Sequence, residues 1–94
     1  MTFSTLHLST AHASRYLQQL AKHFGHKVPV TFTPFEGKVT LPFGTCELAA
    51  DETALSVTVK GQSRDIGRLE QFVGDHLARF AFRENPNLTW QRAA

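Results

Sequence analysis

The sequence predicts an α+β fold in which two helices pack on one face of a curved antiparallel sheet, in the order β-α-β-β-β-β-α. Apolar residues recur at helical intervals in two segments, one near each end of the chain. Between these segments the apolar period drops to two, with short breaks that suit hairpins. The two periodicities together indicate a sheet with one covered face.

A short strand and a helix are predicted at the start of the chain. Leu6 and Leu8 alternate with polar residues, which is typical of a strand. Ser9 or Thr10 is the expected N-cap of the helix, and Gly25 is expected to end it. The apolar stripe of this helix is Ala13, Leu17, Leu20 and Phe24.

Residues 28 to 60 predict four strands joined as an antiparallel meander, because the breaks at 34–37, 42–44 and 51–52 are short. The inward positions are Val28, Val30, Phe32, Val39, Leu41, Cys46, Leu48, Leu55, Val57 and Val59. The opposite face is rich in threonine and consists of Thr31, Thr33, Lys38, Thr40, Thr45, Glu47, Ser56, Thr58 and Lys60. We expect that face to be open to water.

A second helix is predicted after Ser63, its expected N-cap, and before Asn85-Pro86, its expected end. Its apolar stripe is Ile66, Leu69, Val73, Leu77 and Phe80. The segment 87–91 alternates like a strand, and it either adds a sheet edge or seats Trp90 against the core. This order of elements matches TATA-box-binding-protein-like folds, but a fold does not specify a function.

Length and composition predict one domain over residues 1–94, since 41% of the residues are hydrophobic and no linker interrupts them. The formal charge of +2 is too weak to indicate nucleic-acid binding, and the threonine face lacks the aromatic residues of such a module. No apolar run approaches the roughly 20 residues of a membrane span, and the N-terminus does not resemble a secretion signal. We therefore expect a soluble cytoplasmic protein. Cys46 is the single cysteine and is expected to be a small buried hydrophobe.

One flank of the first helix suggests a binding site. Tyr16, Gln19, His23 and His26 share this flank, and the two histidines are spaced so that they could share a metal ion. Two nitrogen ligands do not complete a zinc or iron site, so His76, an acidic residue or a second chain would have to contribute. The alternative is structural: His23 fills the boundary of the core, and His26 stabilises the negative end of the helix.

The second helix carries a stripe of Phe72, His76, Arg79 and Arg83 beside its apolar face. Two guanidinium groups suit a carboxylate, phosphate or catecholate oxygen and repel a metal cation. This stripe therefore predicts an anion site. The alternative is that the arginines pair with carboxylates such as Asp75 and Glu84 or lie over exposed aromatic rings.

Three segments of the chain also carry a family resemblance. They are RYLQQLAKHFGHK at 15–27, HLARFAFRE at 76–84 and LTW at 88–90. In this order and spacing they resemble the bacterial domain-of-unknown-function family 2218, over nearly the whole chain. The resemblance implies no catalytic residue. It does imply an iron context, because such domains tend to occur near, or fused to, siderophore-interacting or iron-uptake proteins.

Three functions stay open at this point. The first is an accessory binding domain that holds an anionic ligand or iron chelate at the helix edges. The second is an interaction module, such as a homodimer, that pairs through the threonine face or an exposed strand edge. The third is a histidine-based metal protein or enzyme. The sequence requires no cofactor, although iron or zinc would fit the histidines, and it does not favour an enzyme, because no complete set of catalytic groups is present.

Overall fold

Two helices and a six-stranded antiparallel sheet form the described part of the protein. The computed structural model describes residues 1–81 and 88–93. In chain order the elements are β1 (Thr2–Ser9), α1 (Ala13–Gly25), β2 (Val30–Phe32), β3 (Glu36–Leu41), β4 (Gly44–Ala50), β5 (Ala54–Gly61), α2 (Ile66–Phe80) and β6 (Trp90–Ala93). The α+β prediction is confirmed, and the architecture is compatible with a TATA-box-binding-protein-like fold.

The sheet has the strand order β2-β3-β4-β5-β1-β6, and each neighbouring pair is antiparallel. The predicted meander from β2 to β5 is confirmed, since each of these strands pairs with the next along the chain. β1 lies between β5 and β6, so the first strand is inside the sheet. Neither helix in the described ranges is long and apolar enough to cross a membrane.

The hydrophobic core lies between the two helices and one face of the sheet. α1 packs over β2, β3, β4 and β5, and α2 packs over β5 and β1, so both helices contact β5. The apolar stripes predicted for both helices are buried, apart from Phe80, which is half-buried. The inward strand positions from Val39 to Val59 are buried as well. The threonine face is exposed or half-buried, as expected for a sheet covered on one side.

Phe32 departs from the prediction that it is buried. It follows the inward alternation of β2, yet 39% of its surface is exposed. β2 is an edge strand of only three residues, so no neighbouring strand covers the outer side of this ring. Sequence alternation identifies the face to which a side chain belongs, but it does not identify the edge of the sheet.

The predicted N-cap of α1 is wrong. His12 is the N-cap residue, and it makes no side-chain capping hydrogen bond. Thr10 stands two residues earlier, where its hydroxyl accepts a hydrogen bond of 3.0 Å from the His12 backbone N–H. Ser9 is still part of β1. The turn between strand and helix is therefore longer than the sequence pattern indicated.

The predicted N-cap of α2 is also wrong, because Asp65 occupies that position. The Ser63 hydroxyl instead shares a hydrogen bond of 2.6 Å with the hydroxyl of Thr2. The helix ends at Phe80, before the predicted stop at Asn85-Pro86. Those two residues lie outside the described residues.

The segment after α2 forms a sixth strand, and its Trp90 also packs against the core. Both predictions for this segment are therefore confirmed. β6 pairs with β1, with Trp90 opposite Leu6. A Cβ atom at Gly74 of α2 would lie 3.3 Å from Trp90 Nε1. The glycine that weakens the helix by propensity thus makes room for the indole.

An ionic contact fastens β6 to α2. Arg92 donates two hydrogen bonds to the Glu70 carboxylate, from Nε at 2.9 Å and from Nη2 at 2.7 Å. The buried Ser4 hydroxyl donates a third, at 2.5 Å. The Arg92 guanidinium holds the pKa of Glu70 below its usual range, although partial burial opposes this. This contribution to stability is present above the ordinary pKa of a glutamate and is lost as the pH falls through the lowered value.

Leu69 of α2 packs tightly against the sheet beside Gly44 and Gly61. A Cβ atom at Gly61 would lie 2.8 Å from Leu69 Cδ1, and one at Gly44 would lie 2.5 Å from the Lys60 carbonyl oxygen. No side chain fits at either site without displacing backbone or Leu69. The two glycines therefore allow α2 to pack directly onto the sheet.

Truncation of Leu77 tests the position of α2 on the sheet. Leu77 is fully buried, so Leu77→Ala is expected to lower the free energy of unfolding by roughly 2 to 5 kcal/mol. Urea denaturation measures this change. The exposed Gln71→Ala on the same helix is the control and should change stability by about 0.5 kcal/mol or less. Equal stabilities of the two variants would contradict the packing described for α2.

Candidate functional site

The structure brings the two predicted helix edges together. His23 lies in the last turn of α1, and its ring centroid is 4.9 Å from that of His76 on α2. The two side chains belong to segments more than fifty residues apart in sequence. They meet because both helices cover the same face of the sheet.

Aromatic rings surround this histidine pair. Phe72 lies 4.7 Å from His76 and stacks at 5.7 Å on Phe24, measured between ring centroids. Phe80 contacts His23 edge-on at 5.9 Å. Phe24 is buried and forms the floor, whereas Phe72 leaves 36% of its surface exposed. We call the accessible rings His23, Phe72, His76 and Phe80, together with the His26 imidazole and the cations Lys27 and Arg79, the helix-edge patch.

The helix-edge patch is electropositive around His23. Burial lowers the pKa of His23 below its ordinary value, and the neighbouring His76, Lys27, Arg79 and His26 lower it further. Each of these neighbours acts through its positive charge. The imidazole of His23 is therefore less readily protonated than an isolated histidine, and an anion placed nearby would relieve the repulsion.

The orientation of His76 is fixed by its own helix. Its Nδ1 lies 2.7 Å from the carbonyl oxygen of Phe72. A carbonyl only accepts hydrogen bonds, so Nδ1 carries the proton and donates. In the neutral ring Nε2 is then an acceptor, and in the protonated ring both nitrogens donate.

Carboxylates do not neutralise Arg79 among the described residues. The ion pairs there are Arg64 with Asp65 and Arg92 with Glu70. Asp75, the carboxylate considered as a partner for Arg79, accepts hydrogen bonds of 3.1 and 3.0 Å from Gln71 instead. The other carboxylate considered, Glu84, lies outside the described residues. The pairing of Arg79 with Asp75 is therefore not seen.

A family model decides to which group of proteins this chain belongs. The model is described as "Uncharacterized protein conserved in bacteria (DUF2218)", and it matches residues 5–91. The chain is a member of the DUF2218 family. No match was found among curated proteins.

A solved structure is similar to this DUF2218 chain over almost its whole length. It is the NMR structure of PA4090 from Pseudomonas aeruginosa, which is 35% identical in sequence. The alignment covers 97% of this chain and 96% of PA4090, with a TM-score of 0.81. The fold described above is thus that of an experimentally determined relative.

Tyr16 of the predicted site lies outside the helix-edge patch of this DUF2218 domain, and Arg83 is not among the described residues. Tyr16 is only 6% exposed and belongs to the hydrophobic core, where its ring faces His12. Little of its side chain is available to a ligand. Arg83 lies outside the described residues, so the predicted pair of Arg79 and Arg83 is described through Arg79 alone.

The predicted metal ligands do not form a three-ligand group. His23 and His76 are close, but in residues 1–81 and 88–93 no three His, Cys, Asp or Glu side chains are arranged to hold a metal ion. His26 acts on His23 through its charge. A metal site that a second chain completes stays a prediction.

Two residues that the sequence reasoning missed extend the aromatic surface. Phe43, in the turn between β3 and β4, contacts Phe72 edge-on at 6.0 Å. The Arg68 guanidinium lies 4.0 Å from the centre of the Phe43 ring. Arg68 precedes Phe72 by four residues and could have been found from helical spacing. Phe43 follows no periodic pattern, so nothing in the sequence pointed to it.

Surface grooves lie elsewhere on the DUF2218 domain. One of about 560 Å³ runs over the threonine face, where Lys38, Glu47, Ser56 and Thr58 are among its lining residues. Another of about 570 Å³ lies at the β3–β4 turn. Phe3 also reaches the threonine face, and the ammonium of Lys60 lies 5.0 Å from the centre of its ring. The helix-edge patch is by contrast an open surface with exposed rings and cations.

Cys46 has the character expected of a buried hydrophobe. It is fully buried in β4, and burial raises the pKa of its thiol to about 12, with a smaller contribution from Glu47. A thiolate is the reactive form of cysteine, so this side chain is not available as a nucleophile at neutral pH.

We predict that Cys46 does not react with a disulfide reagent such as 5,5′-dithiobis(2-nitrobenzoate) in the folded protein near pH 8. The thiol should react fully once urea unfolds the chain, because burial is then lost. Absorbance of the released thiolate measures both rates. Rapid reaction without denaturant would contradict the position of Cys46 in the core.

The lowered pKa of His23 predicts a dependence of stability on pH. Between this lowered value and the ordinary value of 6.5, the unfolded chain binds more protons than the folded chain. Stability should therefore fall as the pH drops through that window. His23→Gln should weaken this dependence in urea denaturation at several pH values. His7→Gln, on the opposite face of the sheet, is the control, and identical pH profiles of the two variants would contradict the account.

Proposed function

We propose that the protein is a small binding domain whose helix-edge patch receives an anionic ligand with an aromatic part. The observation that carries this proposal is that Lys27 and Arg79 place positive charge near His23, while the His23 ring contacts those of His76 and Phe80. Cationic donors bind carboxylate, phosphate or catecholate oxygens, and ring faces stack on a planar ligand.

The absence of a carboxylate partner for Arg79 in the described residues supports the proposal. A guanidinium that served only solubility would be stabilised by an ion pair with one of the acidic side chains on its own helix. Asp75 is engaged by Gln71 instead. Arg79 is thus left with hydrogen-bond donors for an external anion.

An iron chelate of the catecholate class is the ligand that fits both the patch and the family resemblance. Its aromatic rings suit Phe72 and Phe80, and its negative charge suits Arg79 and Lys27. The iron context that the resemblance implied supports this choice, with a siderophore-interacting or iron-uptake protein as the partner in the cytoplasm. The domain would then act as an accessory that holds the chelate.

Bare metal binding is less well supported than anion binding. Lys27 and Arg79 disfavour a divalent cation near His23, just as they disfavour a proton there. A zinc or iron(II) ion bound by His23 and His76 would also need further ligands. An anion is therefore the ligand we propose, and metal binding is tested as the alternative.

Replacement of Arg79 tests the proposal. Arg79→Gln is expected to weaken binding of a ferric catecholate by about 2 kcal/mol, or roughly thirtyfold, because a charged hydrogen-bond donor is lost. Titration calorimetry measures the affinity, and urea denaturation should show that stability changes by about 0.5 kcal/mol or less. Arg15→Gln, an exposed arginine near the start of α1, is the matched control and should bind as the unaltered protein does.

Two further titrations separate the alternatives. A ferric hydroxamate without net negative charge should bind more weakly than the catecholate, and zinc or iron(II) alone should not bind at micromolar concentration. Binding of zinc that a His23→Ala, His26→Ala double variant abolishes would support the metal function instead. If Arg79→Gln and Arg15→Gln bind the catecholate equally well, the helix-edge patch is not the site.

A further inference from the structure

We propose that the protein self-associates through the outer edge of β2, which pairs with β2 of a second copy so that two sheets become one. β2 is at one end of the strand order. An edge strand presents backbone donors and acceptors to any extended segment that fits beside it. This proposal does not depend on the ligand of the helix-edge patch.

The hydrogen bonds to β3 determine which backbone groups of β2 face outward. The Thr40 N–H donates to the Pro29 carbonyl at 3.0 Å, and the Thr33 N–H donates to the Glu36 carbonyl at 2.7 Å. In an antiparallel ladder, alternate residues of a strand bond to the same neighbour. The odd-numbered residues from 29 to 33 therefore face β3.

The backbone N–H and C=O groups of Val30 and Phe32 consequently point away from β3. In a twofold pair centred on Thr31, Val30 lies opposite Phe32 of the second copy, and Phe32 lies opposite its Val30. Each of these two pairs exchanges two hydrogen bonds. The arrangement is isologous, as a twofold axis requires.

The side chains favour a second copy as the occupant of this edge. Val30 lies on the core side of the sheet, since its partner across β3 is the buried Val39, and Phe32 lies on the same side. Val30 is half-buried, and Phe32 is 39% exposed. In the register centred on Thr31, Val30 of each copy lies beside Phe32 of the other. Two such apolar contacts therefore form, one on each side of the twofold axis.

The prolines that flank β2 limit the pairing without preventing it. Pro29 faces β3, so the outer edge does not need the N–H that it lacks. Pro34 follows the strand, has no N–H to donate, and its carbonyl accepts a hydrogen bond of 2.6 Å from Ser14 Oγ of α1, so the ladder ends before it. A short ladder of this kind predicts a reversible dimer whose population rises with protein concentration.

Sedimentation equilibrium and amide hydrogen exchange by NMR test the proposal on the unaltered protein. The mean mass should rise from one chain toward two as the concentration increases from micromolar to millimolar. The amides of Val30 and Phe32 should become more protected over the same range. The Thr31 amide should not change, because β3 already accepts its proton.

A matched pair of variants tests the role of the side chain. Phe32→Thr should raise the dissociation constant of the dimer by about tenfold or more. Phe3→Thr removes a phenylalanine of similar exposure, 37%, from another part of the sheet and should leave self-association unchanged. Thermal unfolding shows whether both variants fold. If Phe32→Thr does not fold, the concentration dependence of amide protection at Val30 and Phe32 in the unaltered protein tests the proposal.

Three results would overturn the proposal. The first is a chain that stays monomeric at millimolar concentration, which would leave the β2 edge to some other extended segment. The second is a dimer that forms without added protection at Val30 and Phe32. The third is an equal effect of the two phenylalanine variants on the dissociation constant.

Discussion

The burial of one face of the sheet under two helices is the constraint on which the rest of the structure depends. Helices of 13 and 15 residues must cover strands that alternate strictly between apolar and polar side chains. Each helix therefore lies over its own part of the sheet, and the two meet along a seam. Side chains at that seam are too close to the core to be fully hydrated and too near the surface to be fully buried. His23 and His76 occupy this boundary, and this explains why rings and cations collect there.

The seam also explains why a patch of positive charge is tolerated. Burial and nearby positive charges both disfavour a further charge here, and together they lower the pKa of His23. An arrangement that was selected for stability alone would place an acidic residue among these groups. In the described residues an acidic side chain does neutralise a cation between α2 and β6, where Glu70 binds Arg92 and Ser4. Among the described residues, Glu70 thus has a cationic partner, whereas Arg79 has no carboxylate partner.

Periodicity in the sequence was enough to predict the layer architecture, since both helical stripes and the strands from β2 to β5 follow it at most positions. Val28 was predicted to belong to the first strand of the meander, but it lies in the turn after α1, before β2 begins at Val30. It failed where structure depends on something other than alternation. Phe32 has the inward phase of a core residue but sits at an edge, and the N-caps depend on turn lengths that no repeat encodes. The candidate site was predicted as two separate helix edges, because spacing along one helix contains no information about the neighbouring helix. Phe43 could not be found at all, since a turn residue belongs to no period. The packing of Trp90 against Gly74 could not be predicted either, because helix propensity indicates only that a glycine destabilises the helix.

The position of β1 in the sheet has a consequence for the order in which the chain can assemble. Its two partners are β5 and β6, and neither is its neighbour in sequence. The hairpins from β2 to β5 close over a few residues, whereas β1 must wait until residues 54–61 have left the ribosome. Until then Leu6 and Leu8 have no strand to pair with, so β1 joins the sheet after strands that follow it in the sequence. β6, which follows these strands in the sequence, then pairs with the remaining edge of β1.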